Sequence, residues 1–157
     1  MSERAVYDTM IFFQWAALPE NRQHQTIKAL YEGSIRLCLS PAHLTEIKDV
    51  LTRPEIMQKA PNLTPQRVEN VLFEALALAD WFDDVPVRFS LPAHPDDDHI
   101  FNLAIAANVR YLVTWESRLL ALATRESPEA RQLRALAPRL EIIAPPQLAE
   151  RLRTRHS

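Results

Sequence analysis

The chain has 157 residues, of which 47% are hydrophobic and 24% charged, enough apolar material for one ordinary domain and incompatible with disorder or collagen-like repeats. A formal net charge of −2 gives no overall basic field for a polyanion, although residues 1–117 carry ten basic against sixteen acidic groups and residues 118–157 carry eight arginines against four glutamates. No run approaches the roughly 18 apolar residues of a membrane span, and Ser2-Glu3-Arg4 is too polar to open a secretory signal, so a cytoplasmic protein with no membrane partner is expected.

In chain order, Ala5-Val6-Tyr7 reads as a strand that stops at Asp8, followed by a uniformly apolar buried helix to Leu18. Glu20 to Tyr31 reads as a second helix closed by Gly33. Gly33 is the only glycine, which excludes the Gly-rich phosphate loops of Walker and dinucleotide-binding fingerprints. Ile35 to Leu39 reads as a strand, and it contains the single cysteine, Cys38. One cysteine can form neither an intrachain disulfide nor a cysteine zinc knuckle, which suits a reducing compartment.

Ser40-Pro41 starts a helix that should end near Pro54, and Thr64-Pro65 repeats the same cap-plus-proline start. Val68, Val71, Leu72, Ala75, Leu76 and Ala79 then form a core-facing stripe. Val85 to Phe89 is a candidate strand and Asp97 to Ala107 an apolar helix. Tyr111 to Val113 is a strand leading into Thr114, and Leu140 to Ala144 is another, with a closing helix after Pro145-Pro146. Alternating strands and helices predict an α/β fold with a parallel sheet covered on both faces, and a single domain over residues 1–157.

In such sheets ligands bind beyond the carboxyl ends of the strands, at a switch in strand order. Asp8-Thr9, Thr114 with Glu116, and the Asp96-Asp97-Asp98 triplet all fall near such ends. Unpaired carboxylates gathered in one cleft repel, and a divalent cation relieves them. Oxygen ligands favour magnesium or manganese, and such ions serve phosphodiester hydrolysis.

Each piece also has a plainer reading. The Asp triplet taken alone is a capped helix start, and Asp8 is equally a functional acid or a turn residue. Glu46 lies off the Leu44, Ile47, Leu51 stripe and reads as solvated. His94 and His99 beside the triplet read as loop hydrogen-bonders more readily than as zinc ligands, and Arg151, Arg153 and Arg155 as an ordinary helix end.

Three segments and the tail resemble the PIN-domain ribonucleases, and among them the VapC-like toxin components of toxin-antitoxin modules. Val6-Tyr7-Asp8-Thr9 is similar to the family's first strand and Asp-Thr-Asn motif. LSPAHLTEIKDVLTRP, from Leu39 to Pro54, is similar to its Glu-bearing helix. HPDDDHIFNLAIAANVRYLVTWESRLLAL, from His94 to Leu122, follows its Asp-Pro-Asp-Asp, apolar-helix and hydrophobic-Val-Thr pattern. Leu140 to Leu148 resembles its last strand and helix, so the likeness runs from about Arg4 to Leu152.

The resemblance implies a three-layer α/β/α domain with a parallel sheet of four to five strands, and a magnesium- or manganese-dependent endoribonuclease. Asp8, Glu46 and Asp97 would be metal-binding acids, with Glu116 at the fourth position and Thr9, Thr114, Asp96 and Asp98 supporting. Asp97 is chosen because it lies eleven residues before Asn108, which stands where the family usually has glycine. Met10, Trp115 and Glu116 depart from the commoner asparagine, small residue and aspartate. The resemblance also implies RNA as substrate, a homodimer, and an antitoxin covering the acidic cleft. The competing readings are a degenerate PIN domain that binds RNA or a partner without cutting, and a phosphoacceptor signalling domain. The last lysine is Lys59, so the lysine that a phosphoacceptor needs near its last strand is missing.

Overall fold

The computed structural model describes residues 2–19 and 24–155. Five strands form one sheet: β1 (Glu3–Tyr7), β2 (Ile35–Leu39), β3 (Ala79–Trp81), β4 (Tyr111–Val113) and β5 (Glu141–Ile143), in the order β3-β2-β1-β4-β5. Every neighbouring pair is parallel. The helices are α1 (Thr9–Ala17), α2 (Gln25–Glu32), α3 (Pro41–Leu51), α4 (Pro54–Met57), α5 (Pro65–Leu78), α6 (Asp98–Ala106), α7 (Ser117–Thr124), α8 (Pro128–Leu136) and α9 (Pro145–Arg155), with a 3-10 turn at Pro95–Asp97.

The two-residue period of a strand sorts the core into two layers. Ala5, Tyr7, Ile35, Leu37, Leu39, Tyr111, Val113 and Ile143 pack in one cluster with α1, α2, α3, α5 and α9. Val6, Cys38, Leu112 and Ile142 face the other, with α6, α8 and Phe89. A sheet buried on both faces between helices is the three-layer α/β/α arrangement expected. Tyr7, Phe12 and Trp15 lie in this core.

Local chemistry sets the boundaries. Ser40 and Thr64 accept from the backbone N–H groups of His43 and Arg67, capping α3 and α5. Gly33 ends α2 with φ of 79°, and Asn108, with φ of 50°, is the only described non-glycine residue in the left-handed region. Asn tolerates that conformation after α6, which explains how it stands in for a glycine. The helix expected from Glu20 falls in part on residues 20–23, which lie outside the described residues; α2 runs from Gln25.

Two expectations need correction. Val85 to Phe89 is not a strand. Pro86 lacks an N–H, and the Arg88 and Phe89 amides donate to Asn102 Oδ1 at 2.8 and 2.9 Å instead of to a ladder. The strand in this region is β3, whose Asp80 binds Arg4 at 3.2 Å and Arg36 at 2.9 Å along the sheet edge. Leu76 is exposed and Ala79 belongs to β3, so the α5 stripe ends at Ala75. The helix after Ser40 ends near Pro54 as expected: α3 stops at Leu51 and is capped at Thr52, and Pro54 opens the short α4, as proline fits a first helical turn.

Candidate metal centre

β1 is central, with β2 on one side and β4 on the other. The crevice beyond the carboxyl ends of β1 and β4 is therefore the topological switch point of the sheet. Asp8 follows β1 directly and caps α1: its Oδ1 accepts from the Thr9 N–H at 2.8 Å. Thr114, following β4 and fully buried, donates from Oγ1 to Asp8 Oδ2 at 2.7 Å. The same Thr114 oxygen accepts from the Glu116 N–H at 3.0 Å. One hydroxyl thus fixes Asp8 and the backbone that carries Glu116.

Burial pushes the Asp8 carboxyl above its ordinary pKa; the Thr114 and Thr9 hydrogen bonds oppose this, and the nearby charges of Asp97 and Glu116 add to it. Asp97, buried at the end of the 3-10 turn, pairs with Arg118: Nε meets Asp97 Oδ2 at 3.1 Å. Arg118 Nη1 reaches Glu116 Oε2 at 3.1 Å. The guanidinium bridges two of the acids and interacts with the charge of Asp8 as well, so its own pKa rises, chiefly through the hydrogen bond to Asp97.

Glu46 sits on the other side of Thr9, whose Oγ1 donates to Glu46 Oε2 at 3.0 Å. Glu46 is half-buried and not simply solvated: its carboxylate also accepts from His99 Nε2 at 2.7 Å, and His43 Nδ1 lies 3.9 Å from the same oxygen. Burial raises its pKa, but the His99 hydrogen bond and charge, the Thr9 hydroxyl and His43 outweigh that, and the net shift is downward. His43 is fully buried and its pKa falls to about 4, by desolvation and then by the charge of His99.

The structure therefore links Asp8, Thr9, Glu46, Asp97, Thr114 and Glu116 through shared hydrogen bonds, ion pairs or fields. It directs the remaining two acids elsewhere. Asp98 accepts from Ser90 Oγ at 3.0 Å and from the Leu91 N–H at 2.7 Å, anchoring the loop before the 3-10 turn. Asp96 is exposed. Trp115, one of the departures, is also exposed and donates to Gln14 Oε1 at 2.9 Å. Two residues take parts that the sequence does not assign them. His43 lies three residues before Glu46, a spacing that puts both on one helix face and could have drawn attention. Arg118 lies two residues after Glu116 and pairs with acids.

Among the described residues, no helix is long and apolar enough to cross a membrane. Neither the curated proteins nor the solved structures compared give a match. A PIN domain family model matches residues 4–118, a span that takes in β1 through β4 and each of Asp8, Glu46, Asp97 and Glu116. PIN domains are generally nucleases, hydrolases that typically use divalent metals. With well over half of its length matched, the chain belongs to the PIN domain family.

Proposed function

We propose that the protein is a metal-dependent endoribonuclease that hydrolyses RNA phosphodiester bonds, with Asp8, Glu46, Asp97 and Glu116 holding one or two magnesium or manganese ions. The observation that carries this reading is the crevice itself: a buried Asp8 whose proton affinity is raised by burial and, in part, by two neighbouring carboxylates. Oxygen-only donors in a negative pocket suit a hard divalent cation. Such a cation supplies a polarised phosphoryl oxygen and a more acidic bound water.

The chain's own residues do the positioning. Thr114 and the Thr9 amide hold both oxygens of Asp8 in place. Arg118, half-exposed and already paired with Asp97 and Glu116, is placed to swing from a carboxylate to an RNA phosphate, which a guanidinium binds in the same forked manner. Asp96 and Asp98 support the site only through the loop and turn that carry Asp97. The single domain extends past the family match through β5 and α9.

The family resemblance extends the proposal to the toxin of a toxin-antitoxin module, acting in the cytoplasm as a homodimer and neutralised by an antitoxin that covers the acidic crevice. A second reading, a PIN domain that binds RNA or a partner without cutting, draws on Arg118, whose guanidinium neutralises Asp97 and Glu116 without a metal. Cleavage of a mixed RNA substrate, with manganese and with chelator, separates the two. Manganese-dependent products that vanish in Asp97→Asn support the nuclease; RNA binding with no cleavage under any divalent cation supports the second reading.

A further inference from the structure

We infer that His43, Glu46 and His99 form a zinc-binding site beside the carboxylate cluster between β1 and β4, with Glu46 common to both. One ligand atom from each lies within 4.8 Å of the others. His43 and Glu46 are one turn apart on α3, and His99 stands in the first turn of α6, so two packed helices fix the three groups.

The hydrogen bonding of His43 points to a cation. Its Nε2 faces the Tyr7 carbonyl at 2.6 Å. A carbonyl only accepts, so Nε2 carries the proton and Nδ1 presents a lone pair. That Nδ1 is fully buried and has no hydrogen-bond partner. Its nearest charged neighbour is Glu46 Oε2 at 3.9 Å, another acceptor. A buried lone pair set against a carboxylate is unfavourable on its own and favourable around a cation that both can bind.

His99 completes the set: its Nε2, which donates to the same Glu46 oxygen at 2.7 Å, becomes a ligand when a cation displaces that proton. Among the described residues, four buried side-chain polar atoms lack a hydrogen-bond partner, and two of them are the Nδ1 atoms of these histidines. The one aimed at Glu46 is His43 Nδ1, and a buried polar group left unpaired in this way marks an ion or a chemical role.

Two imidazoles and one carboxylate select a borderline cation such as zinc over magnesium or calcium, and three protein ligands leave a position for water. A cavity of about 580 Å³ reaches His99 between Ser40, Asp83, Val87 and Asp98, providing a path from solvent. The site shares Glu46 with the nuclease centre but does not rest on that reading.

The test uses the metal-stripped full chain, titrated with zinc by calorimetry and with cobalt(II) as a spectroscopic stand-in. One equivalent of cobalt should give the visible ligand-field absorption of a four- or five-coordinate site, bleached by zinc. His99→Gln should weaken zinc by more than about 100-fold, beyond the usual effect of losing a group outside the coordination shell. Asp97→Asn should leave zinc affinity within about twofold, since the hydrogen bonds and ion pair described for the Asp97 carboxylate go to Arg118 and not to the three ligands. His43→Gln gives a second check, with circular dichroism confirming the fold; if that fully buried change unfolds the chain, the less buried His99 carries the test. Absence of saturable zinc binding in the wild type, or loss of it in Asp97→Asn but not in His99→Gln, overturns the site. Zinc binding through His99 in a protein that cleaves no RNA still supports it.

Discussion

The two sides of Thr9 hold carboxylates in opposite electrostatic states. On one, Asp8 faces Asp97 and Glu116, and its pKa rises by burial and then by their repulsion. On the other, Glu46 is ringed by donors, the His99 ring and the Thr9 hydroxyl, and its pKa falls although burial pushes the other way. Burial alone does not decide how a carboxylate behaves; the sign of its neighbours does. Protons and hard cations should therefore act mainly on the Asp8 side, where negative charge is in excess, and imidazole-seeking metals on the Glu46 side.

The largest expected effect breaks the Asp8 side outright. Asp97→Asn should lower RNA cleavage by about 100- to 1,000-fold, the scale of losing an electrostatic group aimed at the transition state, with an unchanged circular dichroism spectrum. Retained manganese-dependent cleavage would remove Asp97 from the site. Thr114→Val comes next, because its hydroxyl serves both Asp8 and the Glu116 amide. The expected losses are about 10- to 100-fold in cleavage rate and, with the amide of Glu116 left unpaired, about 1–3 kcal/mol in urea unfolding.

Smaller changes sharpen the contrast. Arg118→Gln removes the only cation that Asp97 and Glu116 share among the described side-chain pairs. Manganese should then bind about two- to fivefold more tightly by calorimetry, the modest figure suited to a half-exposed ion pair, while RNA binding weakens. Asp8→Asn should raise the metal-free melting midpoint by a few degrees at neutral pH. The sign follows from linkage: because the folded carboxyl holds its proton more tightly than the unfolded one, Asp8 costs stability as pH rises from the unfolded carboxylate value through its raised folded value. Glu46 does the reverse, contributing stability above the unfolded value that is lost as pH falls through its lowered folded value. The midpoint difference between wild type and Asp8→Asn should therefore vanish in acid; a difference of constant size across pH would mean that charge is not its cause.

Much of the fold was legible because its signals are local. Ser40-Pro41 and Thr64-Pro65 specify helix starts through a hydroxyl and a fixed φ, and the buried runs around Val6, Leu37 and Leu112 are strands packed on both faces. β3 was not legible, since Ala79-Asp80-Trp81 has little intrinsic strand preference and is recruited by β2 and by Arg4 and Arg36. In the site, Asp8 was visible as an acid ending an apolar strand. Glu46 was hidden from periodicity, because what half-buries it is Thr9 from α1 and His99 from α6. Neighbouring acids in the triplet diverge because a 3-10 turn rotates about a third of a circle per residue: Asp97 turns to Arg118 and Asp98 to the loop at Leu91.

The most direct measurement is a crystal soaked in manganese and read for anomalous scattering. The account predicts a manganese ion in the crevice bound by Asp8 and Asp97, with Arg118 withdrawn from at least one carboxylate. A soaked crystal with Arg118 still bridging Asp97 and Glu116 and no manganese on Asp8 would contradict it.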